Sequence, residues 1–275
     1  MFHRRRLLCV LGALPLAGCA TLPGVRGGNT VGLATFNIYH DRDRWDQRLP
    51  LILDVLRDAS PDVIGLQEVL QDAATNMHNQ AETIARALGY EVVFVSADAE
   101  GAPRRYGNAI LTRLPIVEQA TTRLEPMDDY RTAVRVRVRV GDRLVDLVNT
   151  HLHHTPEGGA IRQRQIETLM TWLGNTGQPL ILMGDLNASL TNPEMARLQP
   201  PRFVSVLPTV HPDQATRTTL NPAYGHRLDQ IDHILVEQRH FEPVTAAIVG
   251  DEAREGVWPS DHFAVVGTVR MRSEG

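Results

Sequence analysis

An α/β sandwich of two packed sheets with helices on the outside is the fold this sequence predicts, on three observations. Short apolar runs bounded by Gly, Pro, Asn or Asp recur along the 275 residues, as buried strands require. Three longer segments carry apolar residues at helical spacing, but they do not alternate strictly with the strands, which argues against a purely parallel sheet. The third observation is a hairpin. Val134, Val136, Val138 and Val140 alternate with Arg135, Arg137 and Arg139, turn at Gly141-Asp142 and return over 144–149. Its apolar face needs a second layer to cover it, and 43% hydrophobic residues are ample for that core. The arginine face reads as a solvated edge that discourages further pairing, with an anion-binding track as the alternative. No repeat, linker or low-complexity run divides the chain.

The N-terminus is set apart from this pattern. Arg4-Arg5-Arg6 form a basic segment, 7–16 an apolar core, and Leu16-Ala17-Gly18-Cys19 a small-residue cleavage site. This resembles the bacterial lipoprotein signal, in which the cysteine becomes the lipidated N-terminus. The run is too short to span a bilayer permanently. An ordinary signal peptide that happens to contain Cys19 is the alternative, and the twin arginines leave the Tat route open. The expected organisation is therefore signal 1–18, lipidation at Cys19, a Gly-rich tether 19–29 and one domain over 30–272. An exported lipoprotein of the bacterial cell envelope follows; Ala20 stands where inner-membrane lipoproteins carry Asp, which favours the outer membrane. Cys9 leaves with the signal, so no disulfide can form. The 28 basic residues are all arginine against 32 acids, a formal charge of −4 that becomes more negative once three signal arginines are removed. Such a domain has little general attraction for polyanions.

Taken in order, 30–38 is an apolar strand closed by Asn37. Over 44–57, Leu49, Ile52, Leu53 and Leu56 mark an amphipathic helix, broken by Ser60-Pro61-Asp62. Residues 63–68 form a buried strand ending in Glu68. A helix over 76–88 turns Met77, Ala81, Ile84 and Leu88 inward and stops at Gly89. Strands at 91–96 and 108–113 precede the hairpin, whose return leads into Asn149-Thr-His-Leu-His-His154. The helix over 161–173 is buried through Ile161, Ile166, Leu169, Met170 and Leu173. Residues 180–183 are apolar without alternation, a strand covered on both faces; Gly184 lets the backbone leave it. Asp185 and Asn187, two apart, project together, either as a reactive pair or as an Asp-x-Asn turn. The Pro- and Thr-rich stretch 188–226 is long enough to shape a binding surface. A strand over 228–236 carries Asp232, and after a loop at 250–259 the last strand, 260–266, opens with Asp261 and His262.

Asn37, Glu68, His151, Asp185, Asn187, Asp232, Asp261 and His262 thus all sit beside strand ends. Any one of them could be a turn residue, but eight with this placement and chemistry are hard to explain so. Four acids and two amides with no cysteine suit a hard cation such as Mg²⁺, Mn²⁺ or Ca²⁺. Two histidines add proton transfer and phosphate contact.

Thr35-Phe-Asn-Ile38, Leu66-Gln-Glu-Val69, Asn149-Thr-His-Leu152, Gly184-Asp-Leu-Asn187, Ile231-Asp-His-Ile-Leu235 and Ser260-Asp-His262 resemble, in order, the signature of the endonuclease/exonuclease/phosphatase superfamily. The resemblance runs from about residue 31 to 270. It implies a four-layered sandwich, two mainly antiparallel sheets flanked by helices, that cleaves phosphoester bonds with a divalent metal. By position, Glu68 is the principal metal ligand beside Asn37 and Asp261. Asp185 activates water and Asn187 holds a phosphoryl oxygen. His262, paired with Asp232, and His151 contact the scissile phosphate, and Arg131 and Asn108 fall at phosphate-side positions. The chain lacks the lysine that AP endonucleases carry after Gln-Glu, the cysteines of pancreatic deoxyribonuclease and the aromatic hairpin of bacterial sphingomyelinases. A monomeric phosphodiesterase or phosphatase acting on a small or lipid-headgroup substrate is expected. The alternatives are an extracellular nuclease and a catalytically inactive binding lipoprotein.

Overall fold

Side-chain alternation assigns each strand of this chain to a layer. The computed structural model describes residues 28–174 and 177–273, so the signal, Cys19 and all but the end of the tether lie outside the described residues. The elements are β1 (Thr30–Asn37), α1 (Trp45–Ala59), β2 (Val63–Asp72), α2 (Gln80–Leu88), β3 (Glu91–Ser96), β4 (Arg104–Thr112), β5 (Ile116–Arg123) and β6 (Thr132–Val140). They continue as β7 (Arg143–His151), α3 (Gly159–Leu173), β8 (Leu180–Asp185), β9 (Phe203–Ser205), α4 (Val206–Val210), β10 (Asp232–Glu237), β11 (Phe241–Val249) and β12 (Ala264–Met271).

Two six-stranded sheets result, ordered β11-β12-β1-β2-β4-β3 and β5-β6-β7-β8-β10-β9. Each is antiparallel apart from one central parallel pair, β1 with β2 and β7 with β8. Val31 and Leu33 of β1 meet Val134 and Val136 of β6 and Ile181 and Met183 of β8 between the sheets. On the outside, Ile52, Leu56, Ala81 and Ile84 of α1 and α2 cover Phe36, Ile64 and Leu66. Opposite them, Ile166, Leu169 and Leu173 of α3 cover Val148, Leu182 and Leu235. These are the four layers. Each fully buried Leu or Ile contributes about 1.5–3 kcal/mol, so packing outweighs the few polar bridges between the sheets.

Several expectations change. β6 is not an edge, because β5 pairs along its outer side. Nor is the arginine row a free anion track: Arg137 binds the buried Asp146 through Nε and Nη2 (2.8 and 3.0 Å), and Arg135 and Arg137 both reach Glu118. β10 begins at Asp232, and Leu228, expected in it, is 73% exposed. β12 begins after Asp261 and His262, which stand in the loop before it. α2 starts only at Gln80, capped by the Asn79 side chain, which leaves Met77 outside the helix.

The chain enters at the pole away from the strand ends just named. There the hairpin turn holds Gly141 at φ +60°, and a Cβ on it would stand 2.7 Å from the Gly28 carbonyl oxygen.

Candidate active site

At the other pole the inward-facing rows turn polar. In β1 the row runs Val31, Leu33, Thr35, Asn37; in β7 Val145, Leu147, Asn149, His151; in β8 Ile181, Met183, Asp185. β10 enters antiparallel, so its row begins with Asp232 ahead of Ile234 and Val236. Register sets His151 opposite Asp185, and Asp185 opposite Asp232. A slip of one residue would turn every one of these side chains to the other face. Gly184 lies within β8 and does not end it. A Cβ there would stand 2.1 Å from the Thr150 carbonyl oxygen, so only glycine lets β7 and β8 run this close.

Asp185 is the centre of the group. Its Oδ2 accepts from Asn37 Nδ2 at 3.0 Å and lies 3.3 Å from His151 Nε2 and 3.8 Å from His262 Nε2. Its Oδ1 accepts the Asn187 backbone N–H at 3.0 Å. Burial raises the Asp185 carboxyl, Asp232 raises it further, and His262, Asn37 and the Asn187 N–H oppose; the balance lies at about 7. Burial alone would lower His262, but Asp232 and Asp185 outweigh it and hold the imidazole well above its usual value. Its Nδ1–H donates to Asp232 Oδ2 at 2.9 Å. His151 goes the other way: burial, then Arg131 and His262, keep it well below the usual range and therefore neutral. A carboxyl that titrates near neutrality thus sits between one neutral and one charged imidazole.

Glu68 reaches the same space through a defect in its strand. Pairing of β2 with β4 slips between Leu66 and Val69, and in that bulge Glu68 takes φ 59°. The left-handed region costs a residue with a Cβ about 1–3 kcal/mol, and such strain gathers at functional positions. Asn149 supports the bulge from the opposite sheet, donating Nδ2 to the carbonyls of Leu66 (2.8 Å) and Ala109 (2.9 Å) and accepting from Gln67 Nε2 (2.6 Å).

Glu68, Asp185 and Asp261 line a cavity of about 860 Å³ together with Arg131, His151, Asn187 and His262. Among the described residues no arginine lies within 4.0 Å of these three carboxylates. Their ion-pair partners are histidines: Glu68 is 3.8 Å from His40 Nε2, and Asp261 is 2.9 Å from His226 Nε2. Converging carboxylates without a guanidinium partner, and without a thiol, form a donor set that suits a hard divalent cation. Asp185, Asp232 and His262 also place ligand atoms within 4.8 Å of one another. Within this trio His262 is bound to Asp232 through Nδ1 and faces Asp185 through Nε2, the arrangement of an ion-paired relay.

The other expected residues fall in different places. Asn187 lines the cavity at φ 51° and spends one amide N–H on the Leu152 carbonyl. Arg131 has Nη2 3.4 Å from His154 Nδ1, and its buried Nε has no hydrogen-bond partner among the described residues. Asn37 stands behind Asp185, its Oδ1 accepting the Tyr39 N–H. Asn108 is buried and donates to Thr132, bracing β4 against β6. From the irregular stretch, Leu220, Gly225 and His226 line one wall, as expected of it, with Arg227 and Ile231 just beyond.

Sequence reasoning missed Tyr106, His40 and Arg48. Tyr106 shares a strand face with Asn108 and lines the cavity, where burial and then the Glu68 charge raise its phenol. Arg48 is fully buried and donates to the carbonyls of Ile38, Tyr39, His40, Arg42 and Pro259 at 2.8–3.0 Å. Arg162 does the same on the other side, binding Glu194 and the carbonyls of His153, Thr155 and Pro156, and it rather than Ile161 is the buried residue of that turn. A signal was present: each arginine lies four residues before an isoleucine of the inward stripe, Ile52 or Ile166.

Residues 34–262 match the Endonuclease/Exonuclease/phosphatase family. The chain is 25% identical over 264 residues to Tyrosyl-DNA phosphodiesterase 2 of Mus musculus, which covers 88% of this chain and 67% of that protein. In solved structures it is similar to the human Nocturnin catalytic domain with bound sulfate (TM-score 0.71, 20% identity, 88% of this chain and 95% of that one). It is equally similar to D. rerio TDP2 complexed with a single-strand DNA product (TM-score 0.72, 18% identity, 88% and 99%).

Proposed function

The chain belongs to the endonuclease/exonuclease/phosphatase family, and from that premise we propose that it is a divalent-metal-dependent phosphodiesterase or phosphatase acting on a small or lipid-headgroup substrate. The observation that carries the reading is Asp185, a carboxyl poised at about 7 within reach of two imidazoles of opposite charge state. A base with this pKa is about half ionised at neutral pH and still accepts a proton.

In the proposed reaction a water oxygen forms a bond to phosphorus in line with the ester P–O bond, which breaks. Asp185 takes the water's proton. The His262 imidazolium, oriented by Asp232, stabilises the phosphoryl charge and gives its proton to the leaving oxygen. His151 and Asn187 donate to phosphoryl oxygens and Arg131 pairs with the phosphate. Glu68 and Asp261, with Asn37 beside them, would hold Mg²⁺ or Mn²⁺, with Ca²⁺ also compatible, and a cation there would supply charge neutralisation at the phosphoryl or leaving oxygen. Asn108 supports the wall and takes no part in this scheme.

The acidic domain without lysine, with Arg135 and Arg137 paired to acids, supports a substrate gripped by one phosphate. A second reading, a nuclease or DNA phosphodiesterase, draws support from the likeness to Tyrosyl-DNA phosphodiesterase 2 and to the DNA-bound TDP2 structure. Hydrolysis of bis-p-nitrophenyl phosphate and p-nitrophenyl phosphate with and without EDTA tests the chemistry; no turnover with any divalent metal would leave a binding lipoprotein. A panel of plasmid, single-stranded DNA, inositol phosphates and phospholipids at two salt concentrations separates the substrates. Fast DNA cleavage that falls steeply with salt would establish the second reading. We further propose a monomer, exported and anchored at Cys19, with the outer membrane as its location.

A further inference from the structure

His40 has no part in the proposed reaction, yet its ring stands between two carboxylates. Nδ1 lies 2.5 Å from Asp41 Oδ1 and Nε2 lies 3.8 Å from Glu68 Oε2. A carboxylate only accepts, so the contact with Asp41 places a ring proton on Nδ1 and leaves Nε2 as the atom that faces Glu68. Nε2 and a carboxylate oxygen face each other favourably with a cation between them, a metal ion or a second ring proton. A metal bonded to both atoms at about 2.1 Å spans up to about 4.2 Å, so the gap has room for one. Histidine ligands usually carry this arrangement, with the far nitrogen donated to a carboxylate.

The backbone holds the ring in place. Tyr39 and His40 take φ 56° and 29°, two successive non-glycine residues with positive φ. The His40 carbonyl accepts from Arg48 Nη2 and from Gln80 Nε2, both at 2.8 Å, and those bonds offset the strain. Gln80 Oε1 accepts the Leu70 N–H at 2.9 Å, so one side chain ties His40 to the bulge that carries Glu68. Tyr106 packs edge-on against the ring at 5.8 Å. A surface histidine needs none of these constraints.

We propose that His40 is a nitrogen ligand of the metal held by Glu68, so that the centre prefers Mn²⁺ to Mg²⁺, which takes oxygen ligands. The inference rests on the reading that this site binds a divalent cation. Its test is electron spin-echo envelope modulation on the full chain loaded with Mn²⁺, with isothermal titration of Mn²⁺ and Mg²⁺ alongside. Wild type should show ¹⁴N modulation from a coordinated imidazole. His40→Gln should lose it and bind Mn²⁺ about tenfold or more weakly, with a smaller change for Mg²⁺. Asp41→Asn keeps the ligand and frees its ring, so it should retain the modulation with weakened Mn²⁺ affinity, which gives a second variant if His40→Gln fails to fold. Mn²⁺ bound to wild type without ¹⁴N modulation, or modulation that survives His40→Gln, would overturn the assignment. Absence of any Mn²⁺ binding would overturn it together with the metal reading beneath it.

Discussion

Asn37 donates its side-chain N–H to Asp185 across 3.0 Å and 148 positions of sequence, linking the end of a strand in one sheet to the end of a strand in the other. The bond favours the ionised carboxylate, so Asn37→Ala should raise the Asp185 pKa beyond about 7. One hydrogen bond near 1 kcal/mol corresponds to about half to one pH unit. The base must be ionised to act, so the acid limb of kcat/KM moves to higher pH and the rate at pH 7 falls. A pH–rate profile with an unmoved acid limb would refute this.

Asp185→Asn and His262→Ala should each lower kcat by a factor on the order of a thousand or more, with a retained thermal transition, because water activation and charge stabilisation are each terms of several kcal/mol. Asp232 raises the His262 pKa, so Asp232→Asn should bring the basic limb down to lower pH. Loss of the unfolding transition with unchanged activity per folded molecule would make these residues structural.

Activity should vanish with chelator and return on adding Mg²⁺ or Mn²⁺. Glu68→Gln removes charge from the main ligand at constant shape, and most turnover should go with it. Steady-state hydrolysis in EDTA is the measurement; full activity there contradicts the metal's role.

Arg48→Met leaves five carbonyl groups without their donor, and a broken buried charge network costs about 3–5 kcal/mol. At about 2–4 °C per kcal/mol for a chain of this size, Tm should fall by roughly 10 °C. Arg48→Lys should recover little, since an ammonium lacks the guanidinium fork. A calorimetric Tm within about 2 °C of wild type would show that the clamp is dispensable.

Cys19→Ala should yield unlipidated protein. Among the described residues no helix is long and apolar enough to cross a membrane, so detergent-phase partitioning should follow Cys19. Native protein recovered wholly in the aqueous phase would reject the anchor.

The central strands were legible because burial on both faces writes an uninterrupted apolar run, as in 180–183, and their polar ends stood out against it. Of the edge strands, β5 and β11 were not. β5 is largely exposed and its sequence shows no apolar face, while β11 carries Pro243 at a register shift, where proline argues against a strand. Both are strands by pairing with the next strand of the chain, which no pattern within the strand itself records. The same limit applies within the site. Asp185 announces itself at a strand end and Glu68 at the close of an apolar run, but β2 continues past Glu68 to Asp72, and the bulge there and the left-handed turn at His40 depend on Asn149, Arg48 and Gln80, whose contacts are tertiary. The valine–arginine alternation gave the correct hairpin and the wrong surroundings, since Glu118 and Asp146 supply partners that the pattern itself does not contain.

Gly28 lies against the Gly141 turn, and β1 climbs from there through eight residues to Asn37 at the cavity. At roughly 3.3 Å per residue the catalytic mouth stands about 25 Å above the point where the chain enters. The opening therefore lies at the pole opposite the start of β1, and a solute approaching from that side meets it directly.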